Sequence, residues 1–203
     1  MTRAFRPDPL PDGLLDELVD LASRAPSAGK AQGWHLVTLE GGRTAAFWDV
    51  TLPTERRATF RWQRLLDAPV IILPLADPAA YVERYAEPDK AHTGLGAGTD
   101  AWAAPYWTID ASMAVMTLLL AAEEVGLGAL FFGVFRGEAE LRASLGVPDE
   151  LQLLGAIALG YPADDDDHGD GDRSDDDRSD QGPGRSAGRP RRTVDQIVHR
   201  DRW

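Results

Sequence analysis

Four arginines near the two ends of the chain have side chains suited to binding an anion. Arg3 lies close to the first residue, and Arg189, Arg191 and Arg192 form a basic stretch close to the last. The planar guanidinium group binds phosphate or carboxylate oxygens in pairs. The second group could equally be a solvated basic stretch that balances the acidic residues before it. The residue types alone leave both interpretations open.

A short loop combines small residues with polar side chains. Ser27, Ala28 and Gly29 leave the main chain open to close approach by a flat ring, and Gln32 adds a side-chain amide. A turn between a helix and a strand would also use such residues for its geometry alone. The pattern therefore predicts either a ligand loop or a plain connection.

Two further groups could contact a ligand. Gly133 and Val134 end a predicted strand, the position at which α/β proteins usually bind ligands, although an ordinary strand-end glycine is an equal alternative. Trp102, Tyr106 and Trp107 flank a glycine-rich segment, and their faces could stack on a planar group. They could equally be core or interface residues.

Several kinds of chemistry are excluded or not expected. The chain has no cysteine, which excludes disulfides and thiolate metal sites. No two of its four histidines have the spacing of metal ligands, so we expect no zinc-type site. The formal net charge is −12, of which residues 164–180 carry −8 through ten aspartates and two arginines, leaving −4 elsewhere. Such an acidic tract would repel phosphate, so nucleic-acid binding is not expected.

The hydrophobic pattern predicts alternating helices and strands in one domain. Helices are predicted at residues 11–25, 43–50, 54–66, 79–86, 108–125 and 138–145, and strands at 35–39, 69–76, 129–132 and 153–159. The helix at 108–125 is apolar on nearly every face, which predicts burial in the middle of the domain or in a subunit interface. Residues 87–107 contain a Gly-x-Gly-x-Gly run without the flanking strand and helix of a dinucleotide site, so we expect a flexible lid there.

The chain divides by composition into three parts. Residues 1–163 form the domain. Residues 164–188 are low-complexity Asp, Gly, Ser and Arg, which predicts a disordered and dispensable insertion. Residues 189–203 are a basic and apolar tail that would complete the domain or its partner. The first residues lack the apolar core of a signal peptide and no apolar run is long enough to span a membrane, so a cytoplasmic protein without membrane contact is expected.

Three segments, in order, resemble the FMN-dependent nitroreductase family. Residues 3–11 and 25–34 are similar to its opening signature and its Pro-Ser-x-x-Asn-x-Gln-Pro-Trp loop. Residues 126–133 and the basic tail 189–198 are similar to its later segments. The resemblance implies an α/β (α+β) nitroreductase-like fold, with a central, mostly antiparallel sheet flanked by helices and a buried central helix at a homodimer interface.

The resemblance also implies an activity. NAD(P)H would be the co-substrate, and hydride would pass through FMN to a nitro, quinone, flavin or other small electrophilic acceptor. The chemistry would take place on FMN, so no catalytic acid or base is required. The alternatives are an FMN-dependent oxidase or dehydrogenase of an unknown metabolite, a non-catalytic flavin-binding protein, and a protein whose acidic tract is the active element.

The resemblance assigns roles to the candidate residues. Arg3, Arg189 and Arg191 would bind the FMN phosphate, with Arg192 as the close alternative to Arg191. The group comprising Ser27, Ala28, Gly29 and Gln32 would contact the flavin ring or ribityl chain. A main-chain N–H at Gly133 or Val134 would face N5 of the flavin. Trp102, Tyr106 and Trp107 would contact the acceptor.

The chain departs from the family pattern at a few positions. Met1 stands where the family has Ser, and the Arg that usually precedes that Ser has no counterpart. Lys30 stands where Asn is common, and Gly33 where Pro is common. The acidic tract is an insertion before the basic tail. We expect the missing cation to weaken phosphate binding.

Overall fold

The computed structural model describes residues 1–163 and 190–200. Within residues 1–163 the helices are α1 Leu14–Ala22, α2 Ala45–Thr51, α3 Thr54–Arg57, α4 Pro78–Ala86, α5 Tyr106–Glu124 and α6 Glu138–Leu145. The strands are β1 Trp34–Glu40, β2 Val70–Ala76, β3 Gly128–Phe132, β4 Gln152–Leu153 and β5 Ala156–Gly160. Short 3₁₀ turns connect several of them.

The strands form one antiparallel sheet in the order β1-β2-β5-β3, with β4 also paired to β2. Helices cover it, so the predicted antiparallel sheet flanked by helices is confirmed. All seven residues of β2 are buried, as its continuous apolar run predicted. The central strand β2 is therefore covered on both faces of the sheet and contributes to the core on each side.

A proline in β2 explains why one predicted strand is split. Pro74 has no N–H to donate, which is unusual for a central strand. Its carbonyl accepts from the N–H of Leu154 at 3.0 Å, and the strand predicted at 153–159 divides there into β4 and β5. Gly155 occupies the break with a φ of 145°, and a Cβ there would lie 2.6 Å from the carbonyl oxygen of Phe132. Only glycine fits this position.

The two sides of the sheet carry separate hydrophobic clusters. One side is covered by α2 and α6, whose buried side chains include Phe47, Trp48 and Leu141. The other is covered by α1 and α5, which contribute Leu18 and Leu118. Side chains that alternate along each strand thus pack against different helices on the two faces of the sheet.

Helix α5 is buried on one side only. Its buried residues include Ala111, Ala114 and Leu118, which face α1 and the sheet. Met116 and Leu120 are 51% and 59% exposed. Of the two alternatives predicted for this helix, complete burial in the middle of the domain is wrong, because a single layer of neighbours covers only half of a helix. Burial in a subunit interface stays a prediction.

The helix predicted at 54–66 is also wrong over its middle. The chain leaves helical geometry after α3 and resumes only in a 3₁₀ turn at Gln63–Leu65. The side-chain amide of Gln63 donates to the carbonyl oxygens of Arg57 and Phe60, at 2.6 and 2.8 Å. These bonds satisfy carbonyls that a continuous helix would have used. The side chains of Phe60 and Trp62 consequently lie in positions that a continuous helix would not give them.

The glycine-rich segment packs against α4. It forms three 3₁₀ turns at Ala91–Thr93, Leu95–Ala97 and Thr99–Ala101. A Cβ on Gly96 would lie 2.6 Å from the Cα of Ala86, so the two backbones are in close contact. The indole N–H of Trp102 donates to the carbonyl oxygen of Leu95 at 3.0 Å. The segment thus packs against α4, and its role as a flexible lid stays a prediction.

Residues 190–200 are described separately from the domain. They contain a 3₁₀ turn at Val194–Gln196, capped by reciprocal hydrogen bonds between Thr193 and Gln196. Residues 164–189 and 201–203 lie outside the described part of the chain, so the disordered insertion and the division into three parts remain predictions. Within the described ranges, no helix could cross a membrane and no cluster of side chains could hold a metal ion.

Candidate functional site

A pocket of about 320 Å³ opens on the side of the sheet that carries α2. Its walls are mainly aromatic, and we call it the aromatic pocket. Gly133 and Val134, directly after β3, form part of its edge together with Arg136. The aromatic residues that line it are Phe47, Trp48, Phe60, Trp62, Phe132 and Phe135. The pocket therefore suits a flat, apolar group bordered by main-chain atoms.

The floor of the aromatic pocket is rigidly packed, whereas its mouth is open. The rings of Trp48 and Phe132 are stacked, with centroids 6.1 Å apart and planes 5° apart, and Phe47 packs edge-on against both. Trp62 is 40% exposed and Phe135 is 92% exposed at the mouth. Rings fixed by neighbours can bind a planar ligand at little entropic cost.

One buried donor in this wall has no partner. Trp48 lines the aromatic pocket, and its indole N–H is the one buried side-chain donor left without a hydrogen bond in the described residues. An unpaired buried donor costs about 1–3 kcal/mol. The donor belongs to a ring that lines the pocket, although the indole nitrogen itself is buried.

Cations stand beside the mouth of the pocket. The guanidinium carbon of Arg3 lies 5.3 Å from the ring centroid of Trp62, and that of Arg61 lies 5.8 Å from it. The N-terminal segment is held in place because the N–H of Thr2 donates to Ala129 and Phe5 pairs with Pro162. Trp62 therefore lies beside Arg3 and lines the same pocket as Gly133, and the binding of one ligand by Arg3 and Gly133 stays a prediction.

The loop around Ser27 lies elsewhere and lines no part of the aromatic pocket. The N–H of Ala28 donates to the carboxylate of Asp110 at 2.7 Å, and the Gly29 carbonyl accepts from Arg84 at 2.9 Å. The N–H of Gln32 donates to the Ser27 hydroxyl oxygen at 2.8 Å. Within one chain, then, the structure separates this loop from Gly133 and Arg3.

Trp102, Tyr106 and Trp107, which the sequence predicted to contact the electron acceptor, belong to an aromatic cluster formed with side chains of α4. The ring of Trp102 is 5.7 Å from that of Tyr106 and 6.3 Å from that of Trp107, centroid to centroid. It also contacts Tyr81 and Tyr85, at 5.8 and 4.7 Å. None of the three lines the aromatic pocket of its own chain. Their proposed contact with an acceptor stays a prediction.

The C-terminal arginines are only partly described. Arg189 lies outside the described residues, and Arg191 is exposed. The guanidinium of Arg192 donates to the carbonyl oxygen of Gln196 within the same 3₁₀ turn. Their binding of a phosphate group stays a prediction.

Sequence reasoning missed the residues that define the geometry of both regions. Phe60 and Trp62 were not identified as pocket residues because they fall within the helix predicted at 54–66. Asp110 gave a usable signal, since it is the single charged residue between Thr108 and Ala122 in an otherwise mostly apolar helix. A carboxylate in such a run is expected only where partners satisfy it. Its partner Tyr81 is fully buried, and burial, followed by the hydrogen bond to Asp110, raises the pKa of Tyr81.

The sequence matches a family model described as the nitroreductase family over residues 1–161. An NADH dehydrogenase of Thermus thermophilus is 31% identical over 177 residues, which cover 80% of this chain and 82% of that protein. The match therefore spans the domain and nearly all of its candidate residues.

Solved structures show the same fold. A nitroreductase family protein from Streptococcus pneumoniae superposes with a TM-score of 0.68 at 17% identity, covering 98% of this chain and 94% of that one. A protein from Exiguobacterium sibiricum, solved in complex with FMN, superposes with a TM-score of 0.62 at 15% identity, covering 80% and 84%. The antiparallel sheet and its helical layers thus define an α+β protein of the nitroreductase fold.

The chain belongs to the nitroreductase family, because the family model covers most of its length. It is accordingly an oxidoreductase, in agreement with the activity named for its Thermus thermophilus relative.

Proposed function

We propose that the protein is an FMN-dependent NAD(P)H oxidoreductase that reduces a small electrophilic acceptor such as a nitro compound, a quinone or a free flavin. The observation that carries the proposal is the aromatic pocket, which joins Gly133 and Val134 to Trp62 and, through Trp62, to Arg3. A related fold binds FMN in the Exiguobacterium sibiricum protein. The residues of this chain fit that cofactor.

Each part of the pocket matches a part of FMN. The aromatic walls, Trp48 among them, would exclude water from the ring. Main-chain groups of Gly133 or Val134 would border the reactive edge of the ring. Arg3, aided by Arg191 and by Arg189 or Arg192, would bind the phosphate through paired hydrogen bonds.

The overall reaction moves two electrons. FMN held by the aromatic pocket and the arginines would supply hydride transfer from NAD(P)H, which becomes NAD(P)⁺, and two-electron reduction of the acceptor. With a quinone acceptor, the product hydroquinone receives both electrons together with two protons, one of which comes from solvent. The chain needs no acid or base of its own for this balance. Its residues bind, orient and shield the reacting groups.

We also propose that the working unit is a homodimer with two equivalent sites. The loop with Ser27 lies outside the aromatic pocket of its own chain, and α5 exposes Ile109, Met116 and Leu120. A twofold contact through α5 would bury these side chains. It would also let the Ser27 loop and the half-exposed Tyr106 of one subunit reach the pocket of the other.

The reductase proposal is tested on purified protein. We expect a yellow protein with flavin absorbance, release of FMN on denaturation, and bleaching of the flavin by NADH or NADPH without oxygen. Turnover with a quinone or nitro compound should follow. A protein that neither contains nor takes up flavin would overturn the proposal. Bound FMN that no nicotinamide reduces would favour a non-catalytic flavin-binding protein instead.

The dimer is tested separately by light scattering after size exclusion. Met116→Glu and Leu120→Glu should each shift the protein towards monomer and reduce its flavin content. Ala143→Glu, at an exposed position of α6, is the control and should change neither. A monodisperse wild-type monomer that still holds flavin would overturn the dimer.

A further inference from the structure

Asp110 is the one charged side chain that the structure buries within residues 1–163, with 3% of its surface exposed. One of its oxygens, Oδ2, accepts from the N–H of Ala28 at 2.7 Å and from the hydroxyl of Tyr81 at 2.8 Å. Burying a carboxylate is costly unless hydrogen bonds replace its water. Both of its bonds reach other elements, namely the Ser27 loop and α4.

A second side chain binds the main chain of the next residue in the loop. Arg84 donates through Nε to the carbonyl oxygen of Gly29 at 2.9 Å. Its other nitrogens are fixed by both carboxylate oxygens of Asp89, each at 2.8 Å. A Cβ on Gly29 would lie 2.8 Å from the ring of Tyr85, so α4 also presses on the loop directly. Two consecutive residues are thus bonded to α5 and α4.

The loop needs such support because its backbone is unusual. Gly29, Lys30 and Gln32 all have left-handed φ values, of 60°, 57° and 49°. Left-handed geometry is unfavourable for residues with a Cβ, and it persists only where surrounding contacts impose it. Inside the loop, Gln32 donates through its N–H to Ser27 and through its side-chain amide to the carbonyl of Ser23.

We propose that Asp110, Tyr81 and Arg84 form a clamp that positions the Ser27 loop to bind flavin. This inference rests on the proposed function, and the three are positioning residues because they act through the loop. The clamp uses the N–H of Ala28 and the carbonyl of Gly29, so these groups are directed away from a ligand. The Ser27 hydroxyl and Nε2 of Gln32 are likewise used inside the loop. The loop would contact the flavin ring or ribityl chain through the side chain of Lys30 and through Oε1 of Gln32.

The test compares variants of Asp110 with a buried control on the same helix. Asp110→Ala removes both hydrogen bonds, whereas Asp110→Asn keeps an oxygen that can accept both. Leu118→Ala truncates a side chain that is 1% exposed in the core beneath α5 and touches no part of the loop. Hydrogen exchange across residues 26–33, measured without flavin and well below unfolding, reports on the loop itself. Titration with FMN and with riboflavin reports on binding.

We expect Asp110→Ala to speed exchange in residues 26–33 at least tenfold and to weaken FMN and riboflavin by the same factor, about tenfold or more. Asp110→Asn should restore most of both. Leu118→Ala should lower the melting temperature without changing either. If Asp110→Ala fails to fold, Tyr81→Phe, which removes one hydroxyl, should give the same pattern on a smaller scale.

Results of two kinds would overturn the clamp, one in hydrogen exchange and one in flavin affinity. One is equal exchange of residues 26–33 in the Asp110 variants, the Leu118 control and the wild type. The other is faster exchange with unchanged affinity for both flavins, or a loss confined to FMN, which would show that the loop does not serve the ring. If the wild type binds no flavin at all, the proposed function fails, while the exchange experiment still measures whether the clamp holds the loop.

Discussion

The aromatic pocket and the Ser27 loop are built on opposite principles. The pocket consists of rings packed on rings and leaves one donor, the indole N–H of Trp48, without a partner. The loop consists of polar groups: Oδ2 of Asp110 and Nε of Arg84 each make a hydrogen bond to it, and the Ser27 hydroxyl accepts one within it. Apolar burial depends on contact area and tolerates small shifts, whereas hydrogen bonds fix position to fractions of an ångström.

The difference suggests a division of labour. The pocket would supply binding energy for a flat ring, and the loop would supply its orientation. Changes to the pocket should therefore alter affinity in proportion to lost area or volume. Changes to the loop should act through geometry.

Filling the pocket should have the largest effect. The three atoms nearest a Cβ on Gly133 all belong to the ring tip of Phe135, which is exposed and able to move, so we expect Gly133→Trp to fold with its indole in the mouth of the pocket. We expect FMN affinity to fall at least a hundredfold, about 3 kcal/mol, with little change in melting temperature. Gly42→Trp places equal bulk where no neighbour lies within 4 Å and should keep its flavin. A flavin-replete Gly133→Trp protein would mean that the cofactor binds elsewhere.

Removing a phosphate cation should have the next largest effect. Arg191→Ala and Arg3→Ala should each weaken FMN by one to two decades, roughly 1.5–3 kcal/mol for a charged hydrogen bond. Riboflavin, which lacks the phosphate, should lose little, and salt should weaken FMN more than riboflavin. Arg56→Ala, at an exposed position of α3, is the control. Equal losses for the two flavins would show that the arginine acts through folding.

Removing one wall of the pocket should cost less than filling it. Trp62→Ala deletes a ring at the mouth, and we expect both flavins to bind about tenfold more weakly, about 1.4 kcal/mol. Trp62→Phe should recover most of the loss, because the face remains. Fluorescence titration measures the affinity of each variant for FMN and for riboflavin. A loss confined to FMN would instead indicate that Trp62 acts by orienting Arg3.

The buried hydroxyl of the clamp predicts a pH dependence. The pKa of Tyr81 is raised above its ordinary value of 10.0, first by burial and then by Asp110. Above pH 10.0, Tyr81 of the unfolded chain loses its proton before Tyr81 of the folded chain does. The raised pKa therefore makes the free energy of unfolding fall as pH rises, by up to about 1.4 kcal/mol per pH unit. Tyr81→Phe should show a shallower fall in denaturant unfolding between about pH 9 and pH 11. The same dependence of unfolding free energy on pH in the wild type and in Tyr81→Phe would contradict this prediction.

Relieving strain in the loop should have the smallest effect. Lys30→Gly removes the penalty of a left-handed lysine but adds freedom to the unfolded chain, for a net gain of about 0.5 kcal/mol. The matched control is Ala31→Gly, since Ala31 has an ordinary φ of −63° and should be destabilised by a similar amount. Thermal unfolding measures both. Two changes of the same sign would show that backbone geometry is not what distinguishes these positions.

The sequence predicted the elements more reliably than the site. The buried run of β2, the helix α5 and the end of β3 at Gly133 were all recognisable from periodicity and neighbours. The helix over residues 58–62 was wrong because Gln63 caps carbonyls there that no local pattern reveals. That single error concealed Trp62, and with it the link between Arg3 and Gly133.

The sequence by itself determined the approximate positions of most strands and helices, and the family to which the chain belongs. These properties depend on neighbours along the chain. The tertiary structure decided that Ala28 bonds to Asp110, 82 residues away, and that the Ser27 loop and the aromatic pocket are separate in one subunit. Contacts of that kind depend on how strands order and helices pack. The physical reason is that a hydrogen bond between distant residues has no periodic signature, since its energy is released only when the chain has closed the loop between them.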